Sequence, residues 1–213
     1  MLPDAETLAA RAATVIGTAA EGAVADRGTF RWAASGGATP VPTFRRLGLP
    51  WSVTHTFQVD ERVAPAGDDD RNLTHLRRAL SSDGAVSLRP MPVEAEDLDS
   101  AAAAYGRSLP ERFDLVHLGI GDDGHTASLL PDDPVLEVRD RDVAVTGAFR
   151  GRRRMTLTYP VLDRAREIVW IVAGRTKADA LARLLAGDTS IPAGRVTAAD
   201  QLVLADAHAA PHA

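Results

Sequence analysis

The segment at residues 121–126 combines side chains able to move a proton. It has the sequence GDDGHT and follows the apolar run DLVHLGI. His125 can accept and release a proton near neutral pH, and Asp123 could hold its ring in one tautomer. Gly121 permits a sharply bent loop beside them. The pattern favours general-base chemistry over a purely structural turn.

Two other chemistries fit this segment less well. His125, Asp122 and Asp123 could bind a metal, but the chain has no HxxxH pair and its other histidines are scattered. No metal is therefore expected. Ser128 lies in GHTAS and not in a G-x-S-x-G elbow, which disfavours a serine nucleophile. His117, inside the apolar run, is expected to be a packed core or face residue.

A glycine-rich turn, SGGATP, begins at Ser35. Gly36 and Gly37 would let backbone N–H groups approach an anion, and Ser35 and Thr39 add hydroxyl donors. A tight turn capped by Thr39, with Pro40 at the first helical position, explains the same residues equally well. The turn alone leaves anion binding and a structural role open.

Several cations are also candidates for binding an anion. Lys177 is the one lysine among 24 basic residues, and it is expected at a helix start, where an anion would favour it. The run RGRRRM at 150–155 holds four arginines, including Arg150 and Arg154, whose forked donors suit phosphate. Asp60 and Arg62, in VDER, would by themselves indicate only a solvated strand end.

The elements expected to position these residues alternate between strand and helix. Helices are expected at 4–27, 42–48, 72–81, 96–109, 160–166 and 176–187. Strands are expected at 30–34, 53–59, 114–120, 142–149, 154–158, 167–174 and 201–207, with an edge segment at 87–93. This order predicts one α/β domain over residues 1–213 with a mainly parallel sheet.

The polar clusters fall where such a sheet binds ligands. SGGATP, DER and GDDGHT each follow an expected strand, and ligands of parallel sheets bind beyond the carboxyl ends of the strands. We therefore expect the three clusters to meet in one pocket. Thr126 is expected to cap a helix after the last of them.

Composition limits the function classes. The chain has 213 residues, no cysteine, 45% hydrophobic residues and a net charge of −5. Thiolate chemistry is excluded, and the acidic balance argues against nucleic acid as a partner. No apolar run reaches the length of a membrane span, and the start of the chain lacks a signal-peptide pattern. A cytoplasmic enzyme without membrane contact is expected.

In combination, these motifs resemble the 6-phosphogluconolactonase family. The matching segments run in chain order from residue 35 to residue 196: SGGATP, DERVAP, Asn72, GDDGHTASLLP, RMTLTYPVL, AGRTKADAL and IPAGRV. The resemblance implies a phosphosugar isomerase-like fold, a Rossmann-like three-layer αβα sandwich. It also implies hydrolysis of 6-phospho-D-glucono-1,5-lactone in the oxidative pentose phosphate pathway, with neither metal nor organic cofactor and usually as a monomer.

The resemblance also assigns roles to residues. His125 would be the general base, Asp123 its orienting partner, and Asp60 and Arg62 would face the sugar. For the charge on the oxyanion, Arg62 and loop N–H groups are the candidate donors. The residues expected to bind the phosphosugar are Ser35, Gly36, Gly37, Thr39, Asp60, Gly121, Arg150, Arg154 and Lys177.

Three positions bear on the alternatives. Ala38 replaces a usual serine, and Arg71 stands where a serine commonly precedes Asn72. The related glucosamine-6-phosphate deaminases carry a glutamate five residues after the histidine, where this chain has Leu130, which cannot move a proton. A non-catalytic sugar-phosphate-binding domain would not need the His125 pair. Both alternatives are therefore less favoured than the lactonase.

Overall fold

The computed structural model describes residues 1–80 and 86–210. Its helices within those ranges are α1 Ala5–Arg27, α2 Val41–Phe44, α3 Asn72–Leu80, α4 Leu98–Ser108, α5 Tyr159–Asp163 and α6 Ala178–Leu185. Its strands are β1 Phe30–Ala34, β2 Thr54–Gln58, β3 Asp60–Arg62, β4 Ser87–Arg89, β5 Leu115–Leu118, β6 Val143–Val145, β7 Arg154–Leu157, β8 Ile168–Val172 and β9 Gln201–Ala205. Residue 81, the expected end of a helix, lies outside the described residues.

A parallel sheet forms the centre of the fold. Its strand order is β4-β2-β1-β5-β8-β9, and each neighbouring pair is parallel. In chain order this is the doubly wound Rossmann arrangement, with the reversal of direction between β1 and β5. The predicted Rossmann-like, mainly parallel fold is confirmed. The reversal leaves a crevice at the carboxyl ends of β1 and β5.

Helices cover both faces of this sheet. One hydrophobic core joins α1, α2 and α3 to the sheet, and a second joins α4, α5 and α6 to the opposite face. The strand β8 is buried along its whole length, as expected for a strand covered on both sides. Caps define both ends of α1. At its N-terminus Asp4 accepts a hydrogen bond from the Thr7 N–H, and at its C-terminus Gly28 ends the helix with φ of 72°.

A second, antiparallel sheet was not expected from the sequence. It has the order β3-β7-β6 and packs its residues into the core on the α4 side. The DER segment is therefore strand β3 and not a solvated strand end, which corrects the expectation for Asp60 and Arg62. The segment forms a strand because Asp60 and Arg62 pair with Thr156 and Arg154 of β7, far along the chain.

Two local expectations are wrong. The helix expected at 42–48 is a single turn, α2. Gly48 weakens a continuing helix, and Pro50 disfavours helical geometry at the residue before it. Thr126 caps no helix: its hydroxyl donates to the Gly119 carbonyl over 2.9 Å, and a short 3₁₀ turn at Pro134–Glu137 comes next.

Candidate active site

A cavity of about 180 Å³ lies at the carboxyl edge of the parallel sheet, where β1 and β5 diverge. Loops after β1, β5 and β8 form its walls, and β3 and β7 close one side. The predicted site residues that line it are Ser35, Gly36, Gly37, Thr39, Asp60, Arg62, Gly121, His125, Arg154 and Lys177. The three polar clusters therefore meet in one pocket.

His125 and Asp123 form a hydrogen-bonded pair beside this cavity. Nδ1 of His125 lies 2.5 Å from Oδ1 of Asp123, and the backbone N–H of His125 donates to the same oxygen over 3.1 Å. A carboxylate at Nδ1 favours the tautomer with its proton there, leaving the Nε2 lone pair free to accept one. The His125 side chain is 22% exposed and reaches the cavity wall. This arrangement could serve a base held in one orientation.

Gly121 is the residue that makes room for this pair. A Cβ atom built on Gly121 would lie 2.1 Å from Nδ1 of His125 and 2.5 Å from Oδ1 of Asp123. The Gly121 N–H also donates to the His125 carbonyl over 2.8 Å. The loop therefore folds back on itself, with the imidazole packed directly on the glycine backbone.

The protonation state of Asp123 fits its place beside the imidazole. Partial burial alone would raise the pKa of Asp123, but the hydrogen bonds and charge of His125 hold this pKa below its usual range. Asp123 is consequently a carboxylate at neutral pH. It can orient the ring and stabilise a positive charge on it.

Positive charge also collects in the wall of the cavity. Arg154 is 7% exposed, its Nε has no hydrogen-bond partner among the described residues, and burial lowers its pKa. A guanidinium nevertheless stays charged in proteins. Half-buried Lys177 is at the N-terminus of α6 and forms no ion pair within the described residues. Together with Arg62, these side chains make the cavity suited to an anion.

One carboxylate, Asp60, lies among these cations. It accepts hydrogen bonds from the Ser128 hydroxyl over 2.6 Å and from the Asn72 side-chain amide over 2.9 Å. Burial raises the pKa of Asp60, although Ser128 and the nearby arginines oppose the shift. Asp60 thus connects β3 to the loop that follows β5.

Asn72 and Ser128 belong to the site in ways that sequence reasoning missed. Asn72 packs against Gly36 so closely that a Cβ there would lie 2.4 Å from its Cγ, and it lines the cavity. The Ser128 hydroxyl bonds Asp60 and so has a role other than nucleophile. Gly36, the first glycine of SGGATP, was a signal that some group approaches the backbone closely there.

Glu61 and Arg71 support this wall from inside. Glu61 is fully buried and accepts hydrogen bonds from the N–H groups of Arg62, Asn72 and Leu73 over 2.7–2.8 Å. Nε of Arg71, itself 2% exposed, lies 3.1 Å from the Glu61 carboxylate. The arginine that departs from the family pattern therefore supplies the counter-charge to a buried carboxylate.

His117 is buried, as predicted, and it also borders the cavity. Its Nδ1 accepts from the Ser35 N–H over 3.3 Å, and the Ser35 hydroxyl donates to its carbonyl over 2.9 Å. Burial lowers the pKa of His117 to about 3, so the ring is neutral at physiological pH. The Ser35 hydroxyl is thus bonded within the protein.

Arg150 lies apart from the cavity wall. It is exposed, has φ of 51°, and its guanidinium carbon lies 5.2 Å from the centre of the Phe149 ring. Arg154 is the member of the RGRRRM run that lines the cavity.

Residues 1–80 and 86–210 contain no group of three or more His, Asp or Glu side chains placed to share a metal ion. Among the helices in those ranges, none is both long and apolar enough to span a bilayer.

A Rossmann-like sandwich with a cationic cavity at its topological switch point defines a class of α/β protein that binds small anionic ligands there. The chain belongs to the family of glucosamine-6-phosphate isomerases and 6-phosphogluconolactonases, whose model matches residues 3–204.

Individual relatives agree with this assignment. The chain is 37% identical over 202 residues to a 6-phosphogluconolactonase of Synechocystis, covering 87% of this chain and 84% of the relative. It is 36% identical to a 6-phosphogluconolactonase of Mycobacterium tuberculosis, covering 99% of this chain and 96% of the relative.

Solved structures show the same fold. A 6-phosphogluconolactonase from Shewanella baltica superposes with a TM-score of 0.87 at 25% identity, over 97% of this chain and 96% of that one. The Thermotoga maritima 6-phosphogluconolactonase gives 0.84 at 26% identity, over 96% of each chain. A monomeric glucosamine-6-phosphate deaminase gives 0.79 at 20% identity, over 97% of this chain and 96% of that one, a likeness of fold alone.

Proposed function

We propose that this protein hydrolyses 6-phospho-D-glucono-1,5-lactone to 6-phospho-D-gluconate, a carboxylic ester hydrolysis of the oxidative pentose phosphate pathway. The observation that carries the proposal is one cavity with the His125–Asp123 pair and three cations, Arg62, Arg154 and Lys177, in a chain of this family. Two relatives named 6-phosphogluconolactonase align with 87% and 99% of this chain, which favours the lactonase over the deaminase.

His125 is the proposed general base. Its Nε2 takes a proton from water as the water oxygen bonds to the lactone carbonyl carbon. The tetrahedral intermediate then breaks its bond to the ring oxygen, and the imidazolium returns the proton to that oxygen. Asp123 holds the ring and stabilises its transient charge. A general base of this kind contributes about 10²–10⁴ to the rate. Arg62 or loop N–H groups meet the charge on the oxyanion.

The phosphate is the proposed partner of the cations. Lys177 and Arg154 would neutralise part of its charge, while N–H groups at Gly36 and Gly37 approach its oxygens. Gly37 has φ of 94°, a conformation that glycine adopts easily. Anchoring the phosphate away from the reacting carbon would orient the carbonyl toward His125.

A glucosamine-6-phosphate deaminase shares the fold, so fold alone does not separate the two activities. The side chain at residue 130 favours the lactonase, because Leu130 is 2% exposed and has no group that transfers a proton. Turnover of glucosamine 6-phosphate by the purified protein would favour the alternative.

The test is a coupled assay in which the lactone is generated in situ and product formation is compared with spontaneous opening. We expect His125→Ala to lose most activity yet bind 6-phosphogluconate, while Lys177→Ala mainly raises KM. Matched controls are His208→Ala and Arg175→Ala, both at exposed positions outside the cavity wall. A His125→Ala variant as fast as the parent would refute the general-base assignment, and a protein without saturable 6-phosphogluconate binding would refute the phosphate assignment.

We further propose that residues 1–213 act as one domain, as a monomer in the cytoplasm, without metal, organic cofactor, nucleic acid or membrane. The net charge of −5 and the absence of cysteine support this setting. A single chain also supplies the cavity lining.

A further inference from the structure

The hairpin turn between β6 and β7 places an aromatic ring beside the candidate base. Phe149 and Arg152 exchange two backbone hydrogen bonds, of 2.9 and 3.2 Å, around the two-residue turn Arg150–Gly151. Both turn residues have positive φ, 51° and 80°, which is the type I′ pattern of tight hairpins. The turn fixes the direction in which Phe149 leaves the backbone.

The Phe149 ring contacts two site residues at once. Its centroid lies 6.1 Å from that of the His125 imidazole, edge to face at 62°. The guanidinium carbon of Arg154 lies over the same ring, 5.1 Å from its centre. Both distances are typical of favourable aromatic and cation–π contacts.

These contacts complete the enclosure of His125. The Gly121 backbone supports the ring, Asp123 holds Nδ1, and Phe149 packs against it from the hairpin. Phe149 itself is half-buried and does not line the cavity. It therefore contacts the base and the buried guanidinium from outside the substrate space.

The hairpin is anchored at its tip. Arg152 lies 3.2 Å from an Asp68 carboxylate oxygen and 3.1 Å from one of Asp70. The Asp70 carbonyl in turn accepts from the guanidinium of Arg62 over 2.6 Å. The turn that bears Phe149 is thus tied to the loop that holds another cavity cation.

We infer that Phe149 is a positioning residue, which holds the His125 imidazole and the Arg154 guanidinium in the orientations that the reaction needs. The inference rests on the proposed lactonase function for its kinetic consequences. Loss of the ring would let His125 turn away from the attacked carbonyl and let Arg154 move from the anion.

The experiment compares Phe149→Ala, Phe149→Leu and Phe149→Tyr with the parent, using lactone hydrolysis and the His125 Cε1–H resonance. We expect Phe149→Ala to lower kcat about tenfold and to raise KM, because it removes an orienting contact of the base and a cation–π partner. Phe149→Leu should recover part of kcat but keep the raised KM, since it fills space without a π face. Phe149→Tyr should restore both. The matched control is Ala148→Ser, at the exposed position next to Phe149.

The resonance of His125 separates the inference from the proposed function. Its ring-current displacement should disappear in Phe149→Ala and persist in Phe149→Tyr, whether or not the parent hydrolyses the lactone. An unchanged resonance in Phe149→Ala would overturn the inference. The inference would also be overturned if Phe149→Ala kept the kcat and KM of the parent, or if Ala148→Ser lost as much activity as Phe149→Ala. A parent without lactonase activity would instead refute the proposed function, with the resonance still deciding the placement of Phe149.

Discussion

Adding one methyl group at Gly121 should disable the candidate base without unfolding the protein. The Cβ of Gly121→Ala would lie 2.1 Å from Nδ1 of His125, whereas ordinary contacts begin at 3.4 Å. The imidazole must therefore move by about 1.3 Å, and a misplacement of about 1 Å can cost about 10² in rate. Gly121 does not have positive φ, so alanine fits its backbone. We expect kcat to fall about 100-fold.

The measurement is lactone hydrolysis with saturating substrate, together with urea unfolding of the same preparations. Gly22→Ala in α1 is the matched control, since a Cβ there meets nothing within 4 Å. The control should keep full activity and gain slightly in stability, because alanine favours helix more than glycine does. A Gly121→Ala variant that folds normally and keeps the kcat of the parent would refute the claim that catalysis requires His125 packed against the Gly121 backbone.

Two further predictions concern buried ionisable side chains. The pKa of His117 falls from 6.5 when unfolded to about 3 when folded, so unfolding takes up a proton between these values. Its neutral burial stabilises fully above pH 6.5, and the stability declines as pH falls toward 3, by about 1.4 kcal/mol per pH unit. Urea unfolding of His117→Gln from pH 7 to 4.5 should show a smaller slope of unfolding free energy against pH than the parent, because one proton fewer is taken up on unfolding. An unchanged slope would contradict the burial of His117. Separately, Arg71→Ala leaves the Glu61 carboxylate without its cation and should cost about 3 kcal/mol of unfolding free energy. Exposed Arg77→Ala should cost under about 0.5 kcal/mol in the same titration, and equal losses would count against the ion pair.

The alternation of strands and helices was predictable from the sequence because each central element has its own apolar pattern. β8 is an example: the apolar run IVWIV predicts a buried strand without information on the neighbouring strands, and all five residues are buried. The convergence of SGGATP and GDDGHT followed from the parallel sheet, since both segments leave strands at the same edge.

Features that depend on a distant partner or on local backbone torsions were not predictable. The three residues of β3 are polar, and they form a strand because β7 pairs with them. Asn72 reaches the site through its contact with Gly36; the glycine indicates a close approach, but no local pattern tells which segment makes it. Arg150 shares the charge of Arg154, but the turn directs it to solvent, which depends on backbone torsions and not on residue type.

The enclosure of Glu61 has a consequence for how the molecule opens. One carboxylate without solvent contact receives amide hydrogens from the start of α3, a side-chain amide at the end of β2 and the backbone of β3. Separating any of these segments would leave a buried carboxylate without its hydrogen bonds, which is costly. The backbone amides of these segments should therefore exchange with solvent in one cooperative opening. The amides of Asn72 and Leu73, although at a helix terminus where fraying is usual, should exchange as slowly as those of the central strands.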